Sequence, residues 1–308
     1  DGKYVRSHQF KIRQKAAGVR RRGLLQAGQQ GAFSLALPRV AAHDLNTDRI
    51  QDVFIETANG LAVFHQTGDL NFRSVPDKRV GVRSSYREDL CFFTSALSDL
   101  NNDGLIDYCR VFTQAEGFDV KSLVEVFLGN IHSGYPQRPS RRIVLEEFIV
   151  GLTLVDLGGG TTSLVVATEK LSTVSMVKSL MVKRIPVELK VFAFSGGMMA
   201  EEPLAVKKTS CALRLLGQQF PARFIGSMRA DLDGDGKNEL VVIDHDDKLQ
   251  VYKGGGKEIF ADKPLYSLSL PGTGTIITAH LDSDRKADLV LVGVDEDGRE
   301  RITILRPK

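Results

Sequence analysis

Cysteine is scarce in this chain: Cys91, Cys109 and Cys211 are the three present, too few and too odd in number for a disulfide framework. They read as small buried hydrophobes. Long apolar runs are missing, and none approaches the roughly 18 residues of a membrane-spanning helix. An excess of one charge is missing too. Lys and Arg number 41 against 38 Asp and Glu, a net charge of +3, so the field of the whole molecule names no partner. There is no GxSxG, HExxH, Walker loop or CxxC, and the six histidines are scattered. The familiar nucleophilic, zinc-dependent and nucleotide-dependent chemistries therefore have no motif to rest on. Residues 1–35 are basic, with Lys3, Arg6, Lys11, Arg13, Lys15, Arg20, Arg21 and Arg22 against Asp1 alone. They lack the interleaved aromatics that stacking on bases requires, so nucleic acid is not an expected partner. No signal peptide is visible, and Asp1–Lys3 reads as a mature or trimmed start.

Acidic side chains, by contrast, recur at a fixed spacing. Residues 230–244 read ADLDGDGKNELVVID. Asp231, Asp233, Asp235 and Glu239 occupy positions one, three, five and nine of a loop, with Gly236 at six. A hard cation such as Ca2+ takes about six to eight oxygen ligands, and a tight loop supplies them when alternate side chains turn inward and a glycine relieves the bend. The carbonyl of Lys237 is the natural ligand at position seven. An EF-hand would continue to a glutamate at position twelve inside a helix, but Val242 stands there, in an apolar run that reads as a strand.

Four more copies follow the same register. Residues 42–55 carry Asp44, Asn46, Asp48 and Asp52, with Arg49 in place of the glycine. Residues 97–108 carry Asp99, Asn101, Asp103, Gly104 and Asp107, with Leu105 at position seven. Residues 279–292 carry Asp282, Asp284 and Asp288, but His280 stands first. In residues 154–166 Asp156 survives while glycines replace the later ligands, so no metal is expected there. After each loop come a β-rich run, a turn and a second run: LAVF, VEVFL, LKVFAF, LQVY and ITIL.

The DLNND, DLDGDG and LDSD loops with their following VVI or LVLV strands resemble the FG-GAP/VCBS repeats of integrin-α-like β-propellers, over about residues 38 to 308. The FG and GAP tripeptides are absent, so the VCBS side of the family fits better. The resemblance implies that each loop joins the first two strands of a blade and holds Ca2+, in an extracellular or cell-envelope setting. The expected fold is all-β, a single β-propeller with five blades by motif count, six or seven remaining open. The repeat units span about 38–89, 90–147, 148–219, 220–269 and 270–308. The last unit lacks an outer strand. Strands at Tyr4–Ile12 and Ala32–Leu37 have no preceding loop, so they are expected to complete the C-terminal blade and leave no free edge.

Leu171, Val174, Val177, Leu180 and Met181 recur at helical spacing, which predicts a short amphipathic helix packed against a blade. The clustered carboxylates are committed to closed loops, which argues for structural rather than catalytic calcium. The expected function is a non-catalytic, calcium-stabilised module that engages a protein or glycan through a propeller face. The alternative is a propeller-fold enzyme such as a polysaccharide lyase or hydrolase.

Overall fold

The computed structural model describes residues 40–306 apart from 45–47, 58–59, 68–70, 82–90, 117–118, 131–134, 157–161, 171, 183, 196–197, 213–229, 245, 247, 256–258, 271, 285 and 296–299. The expected N-terminal closing strands, Asn46, and most of the degenerate loop after Asp156 lie outside the described residues.

Five antiparallel sheets follow one another along the chain, in the five-bladed propeller arrangement that the motif count predicts. The first sheet is β1 (Val40–His43), β2 (Asp52–Thr57), β3 (Gly60–Phe64) and β4 (Lys78–Gly81), paired in that order. The second is β5 (Cys91–Ser98), β6 (Asp107–Glu116), β7 (Asp119–Phe127) and β8 (Arg141–Leu145). The third runs β9 (Phe148–Asp156), β10 (Thr162–Glu169) and β11 (Arg184–Ser195), with α1 (Thr173–Val182) inserted between the last two. The short β12 (Met198–Met199) and the longer β13 (Ala205–Ala212) both pair with β11. The fourth sheet is β14 (Leu240–Ile243), β15 (Lys248–Tyr252) and β16 (Tyr266–Ser269). The fifth is β17 (Gly272–Ala279), β18 (Asp288–Asp295) and β19 (Glu300–Leu305), with no fourth strand among the described residues.

The burial pattern explains why some strands alternate in sequence and others do not. Every residue of β3 is buried, and β10 is buried from Ser163 to Glu169. A strand buried on both faces reads as a continuous apolar run. The outer strands β4 and β8 bury only Val80 and Ile143, and their remaining residues are charged or partly wet. In β14 the run Leu-Val-Val-Ile divides by parity, as successive side chains leave opposite faces. Leu240 and Val242 join a core with Val165, Leu189, Val191 and Phe260. Val241 joins a second core with Leu249, Val251, Ile276, Leu289 and Leu291.

The chain packs as two compact units. The one built on the first two sheets has its own core of Phe54, Leu61, Val63, Val80, Ile106, Tyr108, Phe127 and Tyr135. A buried polar knot also joins those sheets. Glu56 accepts hydrogen bonds from Ser95 Oγ at 2.7 Å and from Tyr108 OH at 2.6 Å. The Arg110 guanidinium lies 4.9 Å from the Phe112 ring centroid and 5.8 Å from that of Tyr108. Burial, with Glu56 adding to it against the opposing Arg110 charge, holds the Tyr108 phenol protonated far above its ordinary range. In the other unit Glu147 accepts a 2.5 Å hydrogen bond from Lys190, while burial of Glu169 on the neighbouring strand pushes its carboxyl up to about 7.

In the β5–β6 ladder Cys109 lies opposite Ala96 and Cys91 opposite Thr113, so the two cysteines are not partners across it. Cys109 and Cys211 are free and buried, and burial raises both thiols to about 12, as inert core residues. The helix is present where the spacing places it; Leu171 lies outside the described residues, and the other four side chains of the apolar stripe do not pack on a blade. Val174, Val177, Leu180 and Met181 are all exposed, and the face turned inward carries Ser179 instead.

Candidate metal centres

Every recognisable loop joins the first two strands of its sheet or directly precedes a sheet's first described strand, and the same few contacts build it. The carboxylate at position one collects backbone N–H groups from its own loop. Asp231 accepts from Gly234 at 2.7 Å and Gly236 at 2.8 Å. Asp99 accepts from Asp103 at 3.2 Å and Gly104 at 2.9 Å. Asp44 accepts from Asp48 at 3.1 Å and Arg49 at 2.7 Å. Position five then closes an Asx turn onto position seven: Asp235 to Lys237 N–H at 3.0 Å, Asp103 to Leu105 at 2.8 Å, Asp48 to Ile50 at 2.8 Å and Asp284 to Lys286 at 2.9 Å. Position six needs a left-handed backbone, with φ of 81° at Gly236 and 83° at Gly104. Arg49 takes that conformation at φ 68°, at a cost of roughly 1–2 kcal/mol for a residue with a Cβ. The first loop therefore keeps its shape without the glycine.

Position nine is the buried anchor. Asp52, Asp107 and Glu239 are fully buried and Asp288 is 3 % exposed. Asp52 accepts the Gln66 N–H at 3.1 Å and sits 3.0 Å from His65 Nδ1. Asp107 accepts the Gly129 N–H at 2.6 Å. The loops explain the glycines that follow the second strand run. A Cβ on Gly129 would meet the Ile106 carbonyl oxygen at 2.7 Å, and one on Gly254 would meet that of Asn238 at 2.1 Å. Ile106 and Asn238 both stand at position eight, so the returning chain passes directly over the loop's end.

Where a glutamate replaces aspartate at position nine, its extra methylene changes the site. Glu239 accepts the Leu232 N–H through Oε2 at 2.6 Å, and its Oε1 is buried with no hydrogen-bond partner. Carboxylate oxygens of Asp231, Asp233 and Glu239 lie within 4.8 Å of one another, the one such trio among the described residues. Burial, then the charges of Asp233, Asp231 and Asp235, push Glu239 up to about 7. A buried carboxylate with an unused oxygen beside two others is a donor set short of a positive charge, and it fits a hard cation. Part of that charge comes from Lys253, unsuspected in the sequence. Its ammonium lies 2.5 Å from Asp233 Oδ2 and 3.1 Å from Asp235 Oδ2. These hydrogen bonds raise Lys253 above the usual lysine range and, against some desolvation, hold Asp235 below its own.

The other loops gather less. In the fifth, His280 at position one points Nδ1 at the Lys286 carbonyl, 3.0 Å away, which is the position-seven oxygen a metal would use. Asp282 is left accepting the Asp284 N–H at 3.1 Å, and Asp288 accepts the Leu281 N–H at 2.9 Å. In the second loop Asp99, Asp103 and Asp107 each accept a backbone N–H, and Asn101 is half-buried. His43, next to Asp44, hydrogen-bonds the Gly104 carbonyl and so ties the first loop to the second.

Residues 231–300 match the family model of the FG-GAP-like repeat, a span that starts on Asp231 and takes in the fourth sheet and the first two strands of the fifth. The sequence matches no curated protein. Among solved structures, the chain is similar to one described as the structural basis of specific recognition of non-reducing terminal N-acetylglucosamine by an Agrocybe aegerita lectin. The TM-score is 0.50 at 16 % identity, covering 90 % of this chain and 68 % of that one. A second match, to a Photorhabdus luminescens Tc holotoxin pore, has a TM-score of 0.26 at 12 % identity and covers 88 % of this chain and 14 % of that one.

Proposed function

We propose that the chain, whose residues 231–300 match the FG-GAP-like repeat and whose sheets are arranged as a β-propeller, is a non-catalytic binding module, stabilised by Ca2+, that engages a glycan through one of its faces. The observation that carries the calcium half of this reading is the orphaned Glu239 oxygen beside Asp231 and Asp233. Asp235 and the Lys237 carbonyl complete the set. The second loop is the next candidate, through Asp99, Asn101, Asp103, Asp107 and the Leu105 carbonyl. The first, with Asp44, Asn46, Asp48 and Asp52, ranks below it. Calcium here would neutralise carboxylates that otherwise repel one another, so its chemistry is cohesion of the strand-to-strand turn.

The carboxylates are engaged by backbone N–H groups of their own loops rather than arranged as an acid and base across a cleft, which supports binding over turnover. The glycan class rests on the likeness to the lectin that recognises terminal N-acetylglucosamine. An extracellular or cell-envelope setting goes with this reading, because calcium in the millimolar range fills loops of modest affinity. Among the described residues no helix is long and apolar enough to cross a membrane.

The test is a glycan array probed with and without calcium, followed by a turnover assay on each glycan retained. Calcium-dependent retention without product supports the module. Cleavage of a retained glycan would establish the alternative, an enzyme on a propeller scaffold.

A further inference from the structure

The helix α1 is built inside out. Its N-terminus is closed by a reciprocal pair: Ser175 N–H donates to Ser172 Oγ at 3.0 Å, and Ser172 N–H donates to Ser175 Oγ at 2.8 Å. This is the geometry of a capping box. Ser172, Ser175 and Ser179 share one face at spacings of three and four, and Ser179 is the buried one among the described side chains of the helix. The opposite face is apolar and in water: Val174 is 78 % exposed, Met181 80 % and Val177 52 %, with Leu180 and Val182 also exposed. A helix that only covered a sheet would turn its valines, leucine and methionine inward and its serines out.

Charge indicates what covers this face. Between Glu169 and Glu188 the sequence holds Lys170, Lys178, Lys183 and Arg184 and no acid. Lys170 reaches Glu147 at 3.7 Å and Arg184 reaches Asp246 at 3.7 Å, yet Lys170 stays 75 % exposed and Arg184 52 %. Lys178 lies among the exposed apolar side chains, in a shallow depression with Val174, Val177, Met181 and Val182. An apolar helical face with cationic residues on and beside it is complementary to a bilayer surface bearing anionic headgroups. Size argues against a second copy of the chain. A ten-residue helix is about 15 Å long and 10 Å wide, a footprint of roughly 150 Å2, against about 800 Å2 per partner in a stable interface.

We propose that α1 is an interfacial membrane contact, lying in the plane of an anionic lipid surface with Val174, Val177, Leu180, Met181 and Val182 toward the acyl chains and Lys170, Lys178 and Arg184 at the headgroups. Lone short helices bind bilayers reversibly, so the contact docks the blade without anchoring it permanently.

The experiment uses the full chain with phosphatidylcholine vesicles, with and without phosphatidylserine. Co-sedimentation is expected with the anionic vesicles, weakened by salt, and reduced about fivefold by Lys178→Ala, as one basic residue at such a surface contributes. The pair Val177→Glu and Met181→Glu should abolish it while leaving the thermal melt unchanged, since both side chains are exposed. The chain has no tryptophan, so Val177→Trp supplies a single indole whose emission should shift to the blue on anionic vesicles. No sedimentation of the parent chain, no shift of that indole, or undiminished binding by the double variant would each overturn the proposal. So would a concentration-dependent dimer that the double variant dissolves, because a second copy would then cover the face.

Discussion

The fourth and fifth loops share one register and opposite chemistry. Both place an acid at positions three, five and nine, and both bury the ninth. The fourth puts Asp231 first and converges three carboxylates around an unpartnered buried oxygen. The fifth puts His280 first, and the imidazole bonds the Lys286 carbonyl that would have faced a metal. A ring N–H thus closes the turn that a cation would close in the fourth loop. The backbone scaffold survives the change because it depends on Asx turns and the buried ninth acid, which both loops keep. Loop shape in this repeat thus does not require a carboxylate at position one.

The comparison breaks outright if metal is irrelevant to the fourth loop. A ligand bound only by the folded state stabilises by roughly 2.7 kcal/mol at a hundredfold excess over Kd, so filling the second and fourth loops adds about 5 kcal/mol. Chelation should then lower the melting temperature by on the order of 10 °C, and Mg2+ should restore little of it, since it demands a tighter octahedral shell. Equal melts with chelator, Ca2+ and Mg2+ would mean that hydrogen bonds alone hold every loop.

Protons are the rival source of neutrality, and Glu169, remote in sequence from the loops, gives the reference for a carboxylate that is buried without them. Its value is raised to about 7 in the folded protein. The unfolded chain ionises it first as pH rises past the ordinary carboxylate value, so stability is lost between about pH 4.5 and 7 and is level above. Glu169→Gln should therefore gain on the parent chain across that window, by at most about 3 kcal/mol in chemical denaturation. A constant difference from pH 4 to 8 would contradict the burial argument.

Glu239→Gln should remove one calcium per chain and about 2.7 kcal/mol of calcium-dependent stability. Asp282→Asn in the fifth loop should remove none, and calorimetric titration counts the sites. His280→Asp tests the contrast from the other side: with the carbonyl released and a first carboxylate supplied, the stoichiometry should rise by one. The smallest effect expected is at Lys253. Replacing it with Met frees Asp233 and Asp235 from a competing ammonium and should tighten calcium at the fourth loop by up to about fivefold. Weaker binding in Lys253→Met would show that the ammonium organises the site.

The sequence alone determined the architecture, because an acidic loop followed by two strands is a local unit and its period counts the blades. Asp44, Asp99, Asp231 and Asp282 each fall in the loops where the register places them, and the runs at LAVF, VEVFL, LKVFAF, LQVY and ITIL lie within β3, β7, β11, β15 and β19 or at their ends. Residue type also identified His280 and Arg49 as departures. Only the tertiary structure decided what those departures mean. Arg49 accepts the left-handed backbone, which is a matter of φ and not of composition. Glu239 differs from Asp107 by one methylene, and whether that oxygen finds a partner depends on how deeply the neighbouring strands bury it. Lys253 reaches Asp233 across a separation of twenty residues because β15 returns beside the loop. The helix shows the limit most directly. Its period could be read from Leu171, Val174 and Val177, but a periodic apolar stripe carries no sign for inside and outside. The sign was set by which face met the sheet, and among the described side chains the one buried there is Ser179.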